Sequence, residues 1–467
     1  MNRSTRSLRM LAMAVVALSS LAASVAVSAI AASTGLGCQA SASKAIPQPS
    51  LEQLEAAGLG DVPLAPSSAR RDLVTAPFSR STSVTNPLFP ISRLRSAILH
   101  GQVDGQVFHT ETTLLPTTQI IEWTPGQCVR VLVSQYMAFL DSRLQETAID
   151  LYAQSDDGSV WYLGESVFDY DEAGLIVTTE GTWHAGSEGP AAMIMPANPR
   201  IGDAHRPENI PGTVFEEVVI TKLNQTYDGP SGPVKGVLVG TETHQDGSQS
   251  EKVFAPGYGE FLSTTDGNFE AMALASPTDF VAGGVPEELS DISEAADQIY
   301  ELRFSTSRDW ARAKVLALGI LEDWQELRDA GVPPRLVEPT DVAVRNLIAG
   351  INARNRLETY SASIATAHAS NDLELRYKPV TEVDSVRFEL WVRRALVDAT
   401  RGSLDGVRSD VVTLEWIRDR IAHILDPVTL TRVDTLVRDM GTAVLDEDVR
   451  AAAELARELQ EVLNDIP

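Results

Sequence analysis

Residues 144–165 read LQETAIDLYAQSDDGSVWYLGE, and this stretch contains two runs rich in apolar and β-branched residues on either side of a turn signal. The runs, 144–154 and 160–165, have the length of β-strands. Asp157-Gly158 between them tolerates the backbone conformation that tight hairpin turns require. We therefore predict an antiparallel hairpin here, and it sets the pattern for the surrounding region.

The same pattern extends over residues 100–279, where short strand-like runs alternate with turn signals. Asp-Gly pairs occur five times in this region. Many short strands joined by tight turns favour an antiparallel meander that forms a strongly curved sheet or a closed or half-closed barrel. We assign residues 100–279 to an antiparallel β domain.

The period of the apolar residues changes after a linker at residues 280–286. Apolar side chains then recur at spacings of three and four, as in the stripe from Trp310 to Leu327 and the stripe from Val407 to Leu425. Such spacing indicates amphipathic helices, and the short loops between them favour antiparallel neighbours in a bundle. We predict about seven helices over residues 287–467, including a long one at roughly 340–370. The fold class is therefore multidomain α+β.

The N-terminus has the pattern of an export signal. Residues 1–37 carry three arginines and no acidic residue, and an apolar run extends from Met10 to Ala32. A basic start before an apolar run with small residues is typical of a secretory signal peptide, although a run of about 23 residues is also long enough for an uncleaved membrane anchor. Residues 38–99 are rich in Ser, Ala and Pro and are predicted to form a partly extended tether, with one short helix at residues 50–57.

Cys38 follows the apolar run in the string GLGCQ at residues 35–39. This string resembles a bacterial lipobox, in which the cysteine becomes diacylated, but Gly35 stands where the usual pattern has an apolar residue. The resemblance implies a lipid on Cys38, and Gln39 after it implies sorting to the outer membrane. Cleavage between residues 29 and 33 is the alternative, and it predicts a secreted or periplasmic protein.

The chain has one other cysteine, Cys128, in a predicted strand. If Cys38 carries a lipid, we expect Cys128 to be a small buried apolar residue. If Cys38 is unmodified, a Cys38–Cys128 disulfide in an oxidising compartment is possible.

The net charge of −26 is concentrated in the β domain, where residues 100–279 contain 26 acidic and 7 basic residues. Binding to a nucleic-acid backbone needs clustered Lys and Arg, so this class of partner is excluded. The predicted partners are the membrane, through the N-terminal lipid, and an envelope ligand or protein.

Four short strings in the β domain resemble a family of exported bacterial proteins. They are the hairpin at residues 152–165, GTWHAG at 181–186, Met195-Pro196, and FAPGYG at 254–259. The family is an uncharacterised domain with a hairpin of the form YAQ-DDG-VWY-GE, and the similarity covers residues 100–275. His184 replaces the family's usual acidic residue, and Phe254 replaces its usual Tyr. The resemblance implies export and a β fold, and it implies no chemistry.

Aromatic and polar side chains near the hairpin form a candidate ligand groove, because aromatic rings combine flat apolar area with polar edges. Alternation along a strand puts Trp161 and Tyr162 on opposite faces, so a purely structural role of these aromatic residues in the core is the alternative. The candidate groove residues are Trp161, Tyr162, Glu165, Trp183 and His184.

The sequence contains no motif that identifies a catalytic or metal site. Glu242 and His244 share one face of a predicted strand, but a zinc site needs three or four converging ligands, and neither HExxH nor a paired-cysteine pattern is present. We predict no metal, cofactor or catalytic residue.

The sequence favours a non-enzymatic binding or interaction module in the cell envelope. A carboxylate-dependent hydrolase and a carrier of a small apolar ligand are the alternatives.

Overall fold

The computed structural model describes residues 39–40 and 42–464. The predicted signal peptide and the predicted lipidation site Cys38 lie outside the described residues. No helix within the described ranges combines the length and the apolar character needed to cross a bilayer.

The described chain contains a long series of strands followed by helices. The strands are β1 (Gln39–Ala40), β2 (Lys44–Ala45), β3 (Val74–Thr75), β4 (Ser96–Val103), β5 (Gln106–Thr124), β6 (Gln127–Leu140), β7 (Arg143–Gln154), β8 (Val160–Tyr170), β9 (Ile176–Thr178), β10 (Trp183–His184), β11 (Ala192–Met195), β12 (Ala204–Ile210), β13 (Val214–Gly229), β14 (Gly232–His244), β15 (Gln249–Ala255), β16 (Gly259–Thr265) and β17 (Asn268–Ser276).

Strands β4–β17 with β1 form one sheet in the order β10-β8-β7-β6-β5-β4-β17-β16-β15-β14-β13-β12, in which β9 and β11 pair with β8 and β1 pairs with β6. Apart from the parallel β1–β6 pair, neighbours are antiparallel. This confirms the predicted meander and curved sheet. The sheet is open, because β10 and β12 end the hydrogen-bonded order without pairing to each other. Asp104-Gly105 and Asp266-Gly267 turn between strands with positive φ, as predicted.

The sheet curls so that its two ends share one core. Tyr162 and Trp183 near one end lie in the same hydrophobic cluster as Val214 and Ile220 near the other. Alternation puts the side chains of Tyr136, Tyr162 and Ile220 on the concave side, which we call the inner face; the opposite side is the outer face.

The segment before the sheet packs on it. Ile46, Val84 and Ile91 are buried in the same cluster as the sheet residues, and a short helix, α1 (Leu51–Ala56), lies within this segment. The predicted tether at 38–99 therefore differs from the structure over its described part, although α1 agrees with the short helix predicted at residues 50–57. Apolar residues of this segment pack on the sheet, although they show no period in the sequence.

The helices follow the last strand: α2 (Glu287–Tyr300), α3 (Ser307–Ala330), α4 (Pro334–Asn352), α5 (Arg356–Glu374), α6 (Val380–Arg401), α7 (Leu404–Ile421), α8 (Pro427–Leu445) and α9 (Val449–Asn464). The predicted stripes are buried in α3 and α7. The long helix predicted at 340–370 is wrong, because Arg354 adopts a left-handed conformation and Asn355 caps a new helix by accepting a hydrogen bond from the backbone of Glu358.

The helices cover the outer face of the sheet. Met137 and Phe139 pack in one cluster with Phe388 and Trp391 of α6. In addition, Glu111 on β5 forms ion pairs with two helix arginines. The inner face is left to the N-terminal segment and to the polar side chains described next.

Candidate functional site

The inner face carries carboxylic acids contributed by strands from both ends of the sheet. Cross-strand pairs that place them on this face include Asp150 opposite Glu165, Glu208 opposite Glu216, and Glu270 opposite Ser263. Because the sheet curls, the carboxyl group of Glu165 on β8 reaches hydrogen-bonding contact with that of Glu208 on β12. The acids of this face include Glu146, Asp150, Glu165, Asp169, Glu208, Glu216, Glu242, Glu260 and Glu270.

A cavity of about 140 Å³ opens beside some of these acids. Its floor is the inner face of the sheet, and residues 89–94 of the N-terminal segment supply part of its wall. The lining residues include the acids Asp150, Glu260 and Glu270, the hydroxyl residues Thr110, Thr112, Ser134 and Tyr136, and the apolar side chains of Phe89, Ile91, Leu94, Leu99, Leu114, Tyr152 and Tyr258.

Asp150 lies in an environment that disfavours its charged form. Burial and the nearby carboxylate of Glu165 raise its pKa to about 7, although the hydroxyl of Tyr162 donates to it at 2.6 Å and opposes the shift. The same hydroxyl lies 3.0 Å from Glu165. Asp150 is therefore partly protonated at neutral pH, and it becomes a negative charge in the cavity wall at higher pH.

Glu270 behaves in the same way on the other side of the cavity. Burial and the charge of Glu260 raise its pKa to about 7, while Lys252 and a hydrogen bond from Thr110 oppose the shift. The ammonium of Lys252 is 2.8 Å from Glu260, so its charge is engaged there. The cavity wall thus holds three carboxyl groups and has one neighbouring lysine to balance them.

The buried hydroxyl of Ser134 is the other polar feature of the wall. Ser134 is fully buried, and its Oγ makes no hydrogen bond with any described residue. A buried hydroxyl without a partner costs free energy, and a polar ligand in the cavity would satisfy it.

A second cluster lies further along the inner face, where β13 and β14 pair. Glu216 and His244 are directly opposite each other, and the imidazole Nδ1 is 3.1 Å from the Glu216 carboxylate. Its Nε2 lies 3.0 Å from Ser250 Oγ and 3.7 Å from Glu242. One ligand-type atom from each of Glu216, Glu242 and His244 lies within 4.8 Å of the others.

The structure brings together three of the five predicted groove residues. Tyr162, Glu165 and Trp183 meet on the inner face, where Tyr162 and Trp183 make an edge contact with ring centroids 5.5 Å apart. Tyr162 also stacks on Tyr152 of the cavity wall at 4.9 Å. These residues therefore lie beside the cavity.

The other two groove residues point away from this site. Trp161 is fully buried and donates its indole N–H to Ser155 at 3.0 Å. His184 is partly exposed and lies 3.6 Å from Glu188. Both follow from alternation, because each is the immediate neighbour of an inward-facing residue.

A bulge explains how Tyr162 and Glu165 share a face although they are three residues apart. The β7–β8 register shifts between the Asp150–Glu165 and Tyr152–Tyr162 pairs. Gly164 within the bulge has a φ of 133°, and a Cβ there would lie 2.5 Å from the carbonyl oxygen of Trp183. Only glycine allows this combination of conformation and close approach.

Cys128 is half-buried and disulfide-bonded, which agrees with the alternative in which Cys38 is unmodified and not with the prediction of a small buried apolar thiol. The chain contains only one other cysteine, Cys38, which lies outside the described residues. A sulfur in a disulfide cannot also carry a thioether-linked lipid, so the two predicted fates of Cys38 exclude each other.

No protein family model and no curated protein matches the chain. The resemblance of the hairpin to exported bacterial proteins therefore stays a prediction, and the function is argued from the site.

Proposed function

We propose that the β domain is a binding module that takes a small organic cation, an amine or a guanidine with an apolar body, into the cavity of the inner face. The observation that carries the proposal is the composition of the cavity wall. Carboxyl groups lie on both sides of a lining that otherwise consists of apolar, aromatic and hydroxyl side chains, and the neighbouring Lys252 is engaged with Glu260. An ammonium group would balance the carboxylates, and an apolar body would fill the rest of the space.

The size of the cavity limits the ligand. A cavity of similar volume in an engineered protein accepts benzene, so about six to ten non-hydrogen atoms fit here. Benzylamine has this size and the required charge. Benzyl alcohol and benzoate have the same ring with a neutral or a negative group, so the three compounds form a matched series.

We expect isothermal titration at about pH 8 to give a benzylamine Kd on the order of 0.1–1 mM, which is normal for so small a ligand. Benzyl alcohol should bind at least about tenfold more weakly, and benzoate should give no measurable heat, because unpaired like charges disfavour it. The D150N/E270Q double variant should lose at least about tenfold in affinity for benzylamine. The matched control is E172Q, which removes an exposed carboxylate and should bind as the unchanged chain does.

The affinity should also depend on pH. The groups facing Asp150 are Glu165 and Tyr162, and those facing Glu270 are Glu260, Lys252 and Thr110. With a pKa of about 7, a carboxyl is about 3% ionised at pH 5.5, so benzylamine should bind about 30-fold more weakly there than at pH 8. Equal binding of all three compounds would favour a carrier of apolar molecules and contradict the proposal. A titration with benzylamine that gives no measurable heat would also contradict the proposal.

We also propose that the chain is exported and acts in the cell envelope. The signal-like N-terminus supports this, and so does the disulfide at Cys128, because disulfides persist in oxidising compartments. The bonded state of Cys128 supports a Cys38–Cys128 disulfide in the exported protein, and lipidation of Cys38 is the alternative that it disfavours.

Mass spectrometry of the protein purified from its native cell distinguishes these forms. Export predicts that residues 1–37, or most of them, are absent. A disulfide predicts an increase of about two mass units on reduction, whereas lipidation predicts the mass of a diacylglycerol on an N-terminal Cys38. An intact N-terminus that begins at Met1, together with a reduced Cys128, would contradict export.

A further inference from the structure

We propose that Glu216, Glu242 and His244 form a binding site for a divalent transition-metal ion such as Zn²⁺ on the inner face. This site goes beyond the binding of an organic cation and uses none of the residues that line the cavity.

The three side chains sit on rigid, paired strands. Glu216 of β13 is directly opposite His244 of β14, and Glu242 lies two residues before His244 on the same face. Their ligand atoms lie within 4.8 Å of one another, with 3.1 Å between His244 Nδ1 and Glu216. Zinc bound at about 2.0–2.2 Å places tetrahedral ligand atoms about 3.4 Å apart, so small side-chain rotations would complete the site.

The carboxyl groups themselves point to a cation. A carboxylate oxygen of Glu216 lies within 4.8 Å of one of Glu242, and Glu208 on β12 is the cross-strand neighbour of Glu216. Buried carboxylates this close to one another repel unless a proton or a cation compensates their charge.

The imidazole is oriented by a second contact. Nε2 of His244 lies 3.0 Å from Ser250 Oγ, and the Ser250 hydroxyl donates to Glu242 at 3.0 Å. This arrangement leaves Nδ1, the nitrogen beside Glu216, as the ligand atom. Metal-binding histidines are held in this way by a partner on the other ring nitrogen.

The donor set selects the kind of ion. One imidazole nitrogen with two or three carboxylate oxygens suits Zn²⁺ and its first-row neighbours, whereas Ca²⁺ prefers six to eight oxygens. Lys252 lies beside the site, but its Nζ is 3.6 Å from the carboxylate of Glu242 and only 2.8 Å from that of Glu260. Glu260 is therefore the closer partner of this lysine.

The test is titration of untagged, chelator-treated protein with ZnCl₂, and with CaCl₂ as the comparison. We expect one Zn²⁺ per chain with a Kd on the order of 1 µM or lower, and binding of Ca²⁺ at least about 100-fold weaker. H244A and E216Q should each weaken Zn²⁺ binding by at least about tenfold. E270Q changes the organic-cation cavity and should leave Zn²⁺ binding within about twofold.

The variants keep the two proposals separate. Loss of benzylamine binding in E270Q with Zn²⁺ binding retained would support two separate sites. Equal Zn²⁺ binding by H244A, E216Q and the unchanged chain would overturn the metal site. Absence of Zn²⁺ binding in the unchanged chain would also overturn it. Circular dichroism monitors folding of each variant, and E216Q, which preserves side-chain shape, decides the result if H244A does not fold.

Discussion

The E111Q variant is expected to lower the free energy of unfolding by about 3–5 kcal/mol, because it removes the negative partner of two buried arginines. Arg420 Nη1 donates to Glu111 at 2.5 Å, and Arg387 Nε lies 3.7 Å from the same carboxylate. The Arg420 side chain is 0% exposed and that of Arg387 1% exposed. Their positive charges also hold the pKa of Glu111 well below its usual range.

The E111Q substitution would weaken the contact between the sheet and the helices. Glu111 lies on β5, and the arginines come from α6 and α7. The remaining carboxylate beside both guanidinium groups, Asp384, is buried and lies 2.9 Å from Arg387 and 3.5 Å from Arg420. A neutral glutamine would leave Asp384 and the more exposed Asp372 to balance two charges that water cannot reach.

Chemical denaturation measures this prediction. E172Q on the exposed β8–β9 turn makes the same chemical change and should alter the free energy of unfolding by less than about 0.5 kcal/mol. The double variant E111Q/R420M should be less destabilised than the sum of its single variants, since it also removes one of the uncompensated charges. A loss below about 1 kcal/mol for E111Q would contradict the importance of this ion-pair network.

The second large effect is a dependence of stability on pH that arises in the cavity wall. Asp150 and Glu270 have a pKa of about 7 in the folded protein, above the ordinary values of 3.8 and 4.5. The folded state therefore binds more protons than the unfolded state at neutral pH. Their contribution to stability is fully present below about pH 4 and is lost as the pH rises through 7.

The size of the effect follows from the same values. Between pH 5 and 7 each carboxyl costs about 2 kcal/mol, because it ionises in the unfolded state but stays largely protonated in the folded state. The D150N/E270Q variant should therefore gain about 4 kcal/mol relative to the unchanged chain over this interval. Buried histidines such as His100 and His109, whose pKa values burial lowers to about 3 and 4, act in the opposite direction at lower pH. Because these histidines are present in both proteins, their contributions cancel in the difference in stability between D150N/E270Q and the unchanged chain.

Urea denaturation at several pH values measures the difference. The double variant D61N/E172Q, in which both changes are exposed, serves as the control and should follow the unchanged chain. Parallel curves for D150N/E270Q and the unchanged chain between pH 5 and 7 would show that the cavity acids are not held in their protonated form. A cation bound beside the ionised Asp150 and Glu270 would restore the stability that the protein loses when these acids ionise.

The periodic parts of the fold could be predicted from the sequence. The short strand-like runs and the Asp-Gly turns of the β domain predicted the meander, and the spacing of apolar residues in α3 and α7 predicted their buried faces. The break at Arg354 could not be predicted in this way, because its left-handed conformation depends on the packing of α4 against α5 and leaves the apolar period almost unchanged. The packing of the N-terminal segment was missed for a similar reason, since it depends on isolated residues such as Ile46 and Val84.

The candidate site was less visible in the sequence. Glu242 and His244 could be placed on one strand face, but Glu216 joins them only through the pairing of β13 with β14. Asp150 and Glu270 are 120 residues apart in a chain with many acidic residues, so nothing in the sequence marks them as neighbours of one cavity. The signal that was available is alternation: both are acidic residues at inward positions of strands whose other inward residues are largely apolar.

A crystal structure of the protein soaked with benzylamine at about pH 8, where Asp150 and Glu270 are mostly ionised, shows directly whether the cavity binds an organic cation. We expect the aromatic ring in the cavity between the wall residues Leu99 and Tyr152, with the ammonium nitrogen within about 3.2 Å of a carboxylate oxygen of Asp150, Glu260 or Glu270. Benzylamine found only on the surface, or a ring in the cavity with its nitrogen turned away from all three carboxylates, would contradict the proposal.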